Sequence, residues 1–516
     1  MSEQLALLPA YLSAHLQLSL AALAIGALLA VPLGVAVHRS PRWEPWLLGV
    51  VGAVQTVPSL ALLAAMVPLF AALGAALAGS GVELRGIGAL PALVALTLYS
   101  LLPMLRNTVT GLAEVDPAVV EAARGVGMTG RQQLWRVELP LALPVIVAGV
   151  RTAAVWVVGT ATLSTPIGAT SLGNYIFSGL ATRNDAAILV GCIAAAALAL
   201  ALDQAIRLLE AGLRQRRPVL WGTALAGLAA LTLYAGASFA AARWTDAGEP
   251  VRVGSKPFTE QYVLAEILTQ HIEAATGYET AALPSLGSTV AFDALASGDL
   301  DLYVDYSGTV WATIMKRGGE RPGRAALLEE VERFLAAEHG IAVVAALGFE
   351  NTYTLALRRA RAAELGLTRL SQLGPLTPRL SMGGDYEFFA RAEWRDLVRR
   401  YGLRFAEERA MDPALLYSAV DAGEVDVISA YSTDGRIEAL DLFVLADDRG
   451  VIPPYDAVVL ASPRLARERP EVLAALRPLA GAIDAAAMRR LNHSVDAEGQ
   501  SPSRAAAEFL AETGLD

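Results

Sequence analysis

Six apolar runs of about 20 residues each, at about 16 to 37, 46 to 74, 87 to 105, 141 to 163, 186 to 206 and 219 to 242, constrain this chain more than any other feature. A helix rises about 1.5 Å per residue, so each run matches the roughly 30 Å of hydrocarbon in a bilayer. The sequence therefore predicts an all-α membrane domain of about six spans. The first run is too long for a secretory signal and lacks its basic start and cleavage site, so it is expected to stay in the chain. Composition agrees, with 54% hydrophobic residues in 516 and a mean hydropathy of +0.44. An ordinary soluble enzyme is excluded.

Charge divides the chain. Residues 1 to 243 hold 14 Arg, no Lys and 10 acidic residues, while the remainder holds 27 basic and 41 acidic residues. With the N-terminus outside, the inner connections carry Arg39 and Arg42, then Arg106, Arg124, Arg131 and Arg136, then Arg207, Arg214, Arg216 and Arg217. The outer ones carry only Arg85 and Arg183, the asymmetry of a positive-inside protein. Trp43, Trp46, Trp221 and Trp244 fall at predicted span ends, where an amphipathic ring suits the headgroup layer. The acidic second half argues against nucleic acid. A single cysteine, Cys192, and five scattered histidines give neither a disulfide framework nor a metal site, and no cofactor is expected.

After a short linker at 243 to 250, the pattern from Val251 alternates short β-rich runs with helical stretches, as in an α/β domain of two lobes. An internal repeat supports two lobes. Residues 294 to 307 and 419 to 432 share a helix end at glycine, an acidic turn, a short apolar strand, and a tyrosine past its carboxyl end, Tyr306 or Tyr431. Ligands of open α/β sheets bind beyond the strand carboxyl ends, so facing lobes would bring these two rings together.

The stretch Glu121-Ala122-Ala123, Gly127 and Leu139-Pro140 resembles the EAA loop of ABC importer permeases. The resemblance implies a type I permease over 1 to 217, a coupling loop at 116 to 140, and a short helix at about 116 to 126 that turns at Gly127 and docks on a separate ATPase. Asp116-Pro117 is independently a helix start. Gln55-Thr56-Val57-Pro58-Ser59 and Leu172-Gly173-Asn174-Tyr175-Ile176 look like the same permeases. Arg151, inside an apolar run, lies either near the cytoplasmic rim or against a pathway or dimer interface. The chain has no Gly-x-x-x-x-Gly-Lys-Ser/Thr, so ATP hydrolysis would come from a partner and the chain itself is expected not to be an enzyme.

Gly254-Ser255-Lys256-Pro257-Phe258-Thr259-Glu260-Gln261, Tyr303 to Thr309, Asn351-Thr352-Tyr353, Tyr431-Ser432-Thr433-Asp434 and Pro454-Tyr455-Asp456 resemble the binding proteins of glycine betaine, choline and osmoprotectant importers. The resemblance implies a periplasmic-binding-protein domain at 251 to 516, with lobe 1 at about 251 to 354 plus 457 to 516 and lobe 2 at about 355 to 456. Residues 218 to 250 would supply the sixth span and linker. It places Tyr306, Tyr353, Tyr431 and Tyr455 in an aromatic box around a quaternary ammonium, Lys256, Thr309 and Arg391 on a carboxylate, and Asn351 beside them. Trp394 would enlarge the pocket toward a bulkier betaine such as carnitine or ergothioneine. The expected whole is a bacterial inner-membrane importer subunit, with the N-terminus and binding domain extracytoplasmic. It forms a homodimer in lipid with two ATPase copies. Two alternatives are an importer of a polar or basic amino acid, which Asp305, Asp434 and Asp456 near the box allow, and a membrane-tethered receptor without transport.

Overall fold

The computed structural model describes residues 2–40, 42–77, 84–244, 249–317 and 323–515. Part of the linker and of the turn after Lys316 thus lies outside the described residues, as does the side chain of Trp244. The chain forms two compact units, Met1–Phe177 with Ala186–Asp246, and Ser178–Asp185 with Ala247–Asp516.

In the first unit the apolar runs are helices. Among the described residues, five are long and apolar enough to cross a membrane, or six when the bent pair Glu44–Thr56 and Ser59–Gly74 counts as one span. That pair departs from the simple span the sequence suggests, for it bends by 99°. Pro58 disfavours helical backbone at the residue before it, and Val57 is extended at φ −71°, ψ 128°. The break's polar groups find partners on the helix Ala89–Ala113: the Tyr99 hydroxyl donates to the Val57 carbonyl, and Gln55 Nε2 donates to the Tyr99 carbonyl at 3.1 Å. Irregular backbone at membrane depth persists where protein satisfies it in this way.

Small residues let the helices Ser2–His38, Ala89–Ala113 and Leu139–Ala161 pack closely. A Cβ on Gly26 would lie 2.0 Å from Ser100 Oγ, and one on Gly149 would lie 2.6 Å from Asn107 Cβ. Arg151 is paired from the helix Asp185–Gln215, with Asp203 at 3.1 Å and Glu210 at 2.8 Å. The charge of Arg151 is thus compensated by acids of the same chain.

The segment resembling the coupling loop folds as a helix, Pro117–Gly125, whose first turn is capped by Asp116 accepting from Ala118 N at 2.8 Å. Gly127 turns the chain in the left-handed region at φ 83°. The return begins with a capping box at Thr129, then a π-helical turn Leu134–Glu138 that the sequence did not announce. Side chains tie the two arms together. Arg124 Nε donates to Gln133 Oε1 at 3.3 Å, Gln133 Nε2 donates to Glu138, and Arg39 reaches Glu138 at 3.4 Å. Val119, Glu121, Ala122 and Val126 remain exposed, and Val126 is 75% so.

The second unit contains two five-stranded sheets. The strands are β1 (Val251–Gly254), β2 (Thr280–Leu283), β3 (Leu302–Tyr306), β4 (Ala342–Glu350), β5 (Tyr353–Arg358), β6 (Ser381–Gly384), β7 (Glu407–Ala410), β8 (Val427–Tyr431), β9 (Leu442–Val444) and β10 (Asp456–Ala461). One sheet runs β2-β1-β3-β10-β4 and the other β7-β6-β8-β5-β9. In each, three parallel strands continue into antiparallel partners, β3 with β10 and β8 with β5. The chain crosses between sheets twice, from β4 to β5 and from β9 back to β10. The repeat explains the likeness of the halves. The helices Ser288–Ser297 and Pro413–Asp421 are followed by Gly298 and Gly423 at φ 81° and 75°, and then by β3 and β8. Apolar residues from both sheets form one continuous core, including Val253, Val304, Leu355, Met382, Val427 and Val459.

Candidate functional site

Topology assembles the tyrosines. β3 and β8 end at Tyr306 and Tyr431. Their antiparallel partners begin at the same edge, so Tyr353 opens β5 directly opposite Tyr431, and Tyr455 precedes β10, whose Ala457 lies opposite Tyr306. On each sheet two rings separated by long stretches of chain thus come together because a parallel strand ends where its antiparallel neighbour starts.

The rings form a chain of contacts. Tyr353 lies 4.9 Å from Tyr431 and 5.8 Å from Tyr455 between centroids, the latter pair edge to face. Tyr431 and Tyr306 are joined through Phe258, stacked 5.5 Å from the first and 6.3 Å from the second. Phe258 belongs to the motif after β1, where the sequence assigns it no role of its own. Its position immediately before the helix Thr259–Thr276, on a turn leaving β1, was the available signal. Hydroxyls fix the rings: Tyr306 donates to Glu260 at 2.5 Å, Tyr431 to the Tyr353 oxygen at 3.3 Å, and Tyr455 to Glu393. Burial holds the hydroxyls of all four protonated by raising their pKa.

At the Tyr353–Tyr455 end lies Arg391, its guanidinium 5.0 Å from the Tyr353 centroid and 5.9 Å from that of Tyr455. It donates to Thr309 Oγ1 at 3.1 Å and Thr313 Oγ1 at 2.9 Å, with Glu387 at 3.2 Å. Arg391 and Thr309 therefore stand together. Lys256 stands elsewhere, its Nζ 2.6 Å from Asp305 and 5.7 Å from the Tyr306 centroid. Asn351 lies at the crossing between sheets and donates to Glu260 at 2.8 Å. Trp394 packs against Phe388 and Phe389, each at 5.3 Å, and Phe405, as part of the buried core. Phe258, Glu260, Asn351, Tyr431, Thr433 and Asn492 border a narrow cleft, with Asp434, Arg436 and Asp496 beside them. Among the described residues, no group of three or more His, Cys, Asp or Glu is placed to hold a metal.

Asp385 supports this end of the site. It caps the helix Tyr386–Ala390, accepting from Phe388 N at 2.8 Å, and burial raises its pKa to about 6. A folded value above the unfolded one means that the folded state binds more protons between the two. The carboxylate therefore opposes folding above about pH 6, and that opposition is relieved as pH falls toward about 4. Asparagine keeps the cap without the charge. Asp385→Asn is expected to raise stability near pH 7.5 by about 2 kcal/mol, with the advantage gone near pH 4. Thermal melting of the full chain across that range checks it.

Comparison with known proteins places these features in a family. Residues 249–512 match the substrate binding domain of ABC-type glycine betaine transport systems, and residues 22–215 match the binding-protein-dependent transport system inner membrane component. The chain is 31% identical over 499 residues to the ergothioneine transport permease/ergothioneine binding protein EgtU of Helicobacter pylori (strain G27), covering 94% of this chain and 86% of the relative. It is 42% identical over 196 residues to the glycine betaine/carnitine/choline transport system permease protein OpuCB of Bacillus subtilis (strain 168), 38% of this chain and 83% of that one. Over 267 residues it is 30% identical to the carnitine transport binding protein OpuCC of Listeria monocytogenes, 51% of this chain and 86% of the relative. A multi-helix apolar unit and a two-sheet α/β unit in one polypeptide, each matched by its own model, identify the chain as a member of the ABC importer family in which the permease is fused to a binding domain of the glycine betaine type.

Proposed function

We propose that the chain is the membrane-spanning and ligand-binding subunit of an ATP-driven importer for quaternary ammonium compounds of the glycine betaine, choline, carnitine or ergothioneine type. The observation that carries this reading is the run of rings Tyr306, Phe258, Tyr431, Tyr353 and Tyr455 ending at Arg391 and Thr309. A trimethylammonium has no N–H to donate, so ring faces must hold it, each worth about 0.5 to 2 kcal/mol. Arg391 and Thr309 supply donors for a carboxylate at the far end. Lys256, neutralised by Asp305, braces the Tyr306 edge and stands apart from that anion end. The names of relatives that handle ergothioneine and carnitine support the class.

The reading extends to the membrane. The binding domain and N-terminus lie outside the inner membrane of a bacterial cell, two copies form the permease, and the exposed face of Pro117–Gly125 meets a separate ATPase on each. Glu121, Ala122, Ala123, Gly127, Leu139 and Pro140 form or brace that contact. The domain limits are those expected from the sequence, with lobes hinged at the two crossings between sheets. The amino-acid alternative is disfavoured by pairing, since Asp305, Asp434 and Asp456 are engaged by Lys256, Arg436 and Arg324.

Calorimetric titration of the full chain with glycine betaine, choline, carnitine, ergothioneine and a basic amino acid tests the ligand class. Saturable binding of a trimethylated compound is expected; binding of the primary amine alone would overturn it. For coupling, Glu121→Lys is expected to leave ligand affinity within about twofold and to lower ligand-stimulated ATP hydrolysis by at least about tenfold in vesicles holding the ATPase. Unchanged hydrolysis would remove the coupling role.

A further inference from the structure

The ring box and its anion end leave one buried charge without a task. Glu260 is 2% exposed. Its Oε1 accepts from the Tyr306 hydroxyl at 2.5 Å and from Asn351 Nδ2 at 2.8 Å, and its Oε2 accepts from the Thr433 hydroxyl and from Asn492 Nδ2 at 3.2 Å. Four converging donors favour the ionised carboxylate, which only accepts, while burial works against it and raises the pKa. Four other buried acids of this unit carry a cationic partner, Asp301 with Arg252, Asp305 with Lys256, Asp434 with Arg436 and Asp456 with Arg324, whereas among the described residues Asp385 and Asp496 are, like Glu260, buried without a salt bridge. Among the described residues, no Lys, Arg or His nitrogen forms a salt bridge with Glu260. Removing a carboxylate from water without a counter-ion is expensive, several kcal/mol even after relaxation.

The surroundings point to where the counter-ion comes from. Glu260 borders the cleft with Phe258, Asn351, Tyr431 and Asn492, beside the Arg436–Asp434 ion pair and Asp496. Asn351 Oδ1 and Asn492 Oδ1 are buried there without a hydrogen-bond partner, so the acidic carboxylate is flanked by two further negative dipoles. Among the described residues no donor reaches these two oxygens, and Arg436 on the same cleft is paired with Asp434. We infer that Glu260 is the counter-charge for the ligand's cationic head, acting across the cleft and through the Tyr306 hydroxyl that it accepts. By drawing on that hydroxyl, Glu260 makes the Tyr306 face more negative, and with Arg391 at the other end of the ring chain the site is a dipole matched to a zwitterion. The inference rests on the quaternary ammonium reading and deepens it: a ligand carrying both a trimethylammonium and a carboxylate is favoured over one carrying either charge alone.

An uncharged isostere separates this electrostatic role from a structural one. In 3,3-dimethylbutyrate a carbon replaces the nitrogen of glycine betaine, so shape and carboxylate are kept and the positive charge is removed. Both ligands are titrated calorimetrically into the full chain, wild type and Glu260→Gln. Wild type is expected to prefer glycine betaine by about a hundredfold or more. Glu260→Gln should lower glycine betaine affinity by at least about tenfold while 3,3-dimethylbutyrate changes by less than about threefold. Equal losses for both ligands would make Glu260 a clamp for Asn351, Thr433 and Asn492 and overturn the inference, leaving the importer reading intact. Failure of wild type to bind any trimethylated ligand would sink the quaternary ammonium reading and this inference with it. Should Glu260→Gln not fold, Glu260→Asp keeps the charge and is expected to retain the preference for glycine betaine; its loss there would also overturn the proposal.

Discussion

Replacing Tyr306 and Tyr431 together by alanine is expected to weaken binding of a trimethylated ligand by at least about a hundredfold. Each ring face contributes about 0.5 to 2 kcal/mol of cation–π attraction, and truncation also removes apolar contact area. Together the two changes reach about 3 kcal/mol or more, and each 1.4 kcal/mol is tenfold. The pair is the right one to remove because these rings stand at the ends of β3 and β8 and both stack on Phe258. Losing both leaves Phe258 without its stacked neighbours. Calorimetry of the double variant checks the size of the effect, and melting of the same sample separates lost binding from lost folding. Binding within about threefold of wild type would mean that the ligand's cation is held elsewhere.

The second large effect is expected in the apolar unit. A Cβ on Gly173 would sit 1.8 Å from the carbonyl oxygen of Thr162 and 2.8 Å from Thr165 Oγ1. The first obstacle is backbone, which cannot rotate aside as a side chain can. The surrounding turn is also knitted by side chains: Thr165 and Ser171 share a hydrogen bond of 3.2 Å, and Asn174 Oδ1 accepts from Ser171 N at 2.9 Å and from Thr165 at 3.2 Å. Overpacking typically costs about 1 to 3 kcal/mol and more where nothing yields. Gly173→Ala is therefore expected to lower stability by about 3 kcal/mol or more, read as collapse of the monodisperse fraction after detergent extraction. Gly159 has nothing within 4 Å of its would-be Cβ. Gly159→Ala, on the helix Leu139–Ala161, is the control expected to extract normally.

Much of this architecture was legible in the chain because the relevant forces are local. Apolar length identifies the candidate spans, Asp116-Pro117 starts the helix at Pro117–Gly125, and glycine turns it at Gly127. The repeat placed Tyr306 and Tyr431 at matching strand ends because strand, turn and helix recur at a fixed interval. What stayed hidden depends on partners far away in sequence. Glu260 meets its four donors from residues 46 to 232 positions distant, so nothing beside it marks it as more than a first-turn acid of a helix. The pairing of Lys256 with Asp305 is likewise a product of β1 lying next to β3. Trp394 read as a possible pocket wall because an aromatic near Arg391 suits either side; three phenylalanines behind it determine its packing. The 99° bend could be located at Val57-Pro58 from proline's steric demands, whereas its angle follows from Tyr99 and Gln55 meeting across helices.

The crossings between the two sheets have a kinetic consequence. The first spans only Asn351 and Thr352, between Glu350 and Tyr353, while the second runs from Val444 to Asp456. A two-residue strap permits little translation, so any parting of the lobes is a swing about an axis close to Asn351. Displacement in a swing grows with distance from the axis. Tyr353, next to the strap, travels little, and the outer rims of the lobes travel most. Tyr353 and Tyr431, paired on one sheet, would keep their contact in such a swing, whereas Tyr306, on the other sheet, would part from Tyr431. Burst-time measurements on a dye pair at the rim would time the whole gesture, whereas a pair beside Tyr353 would sit nearly still.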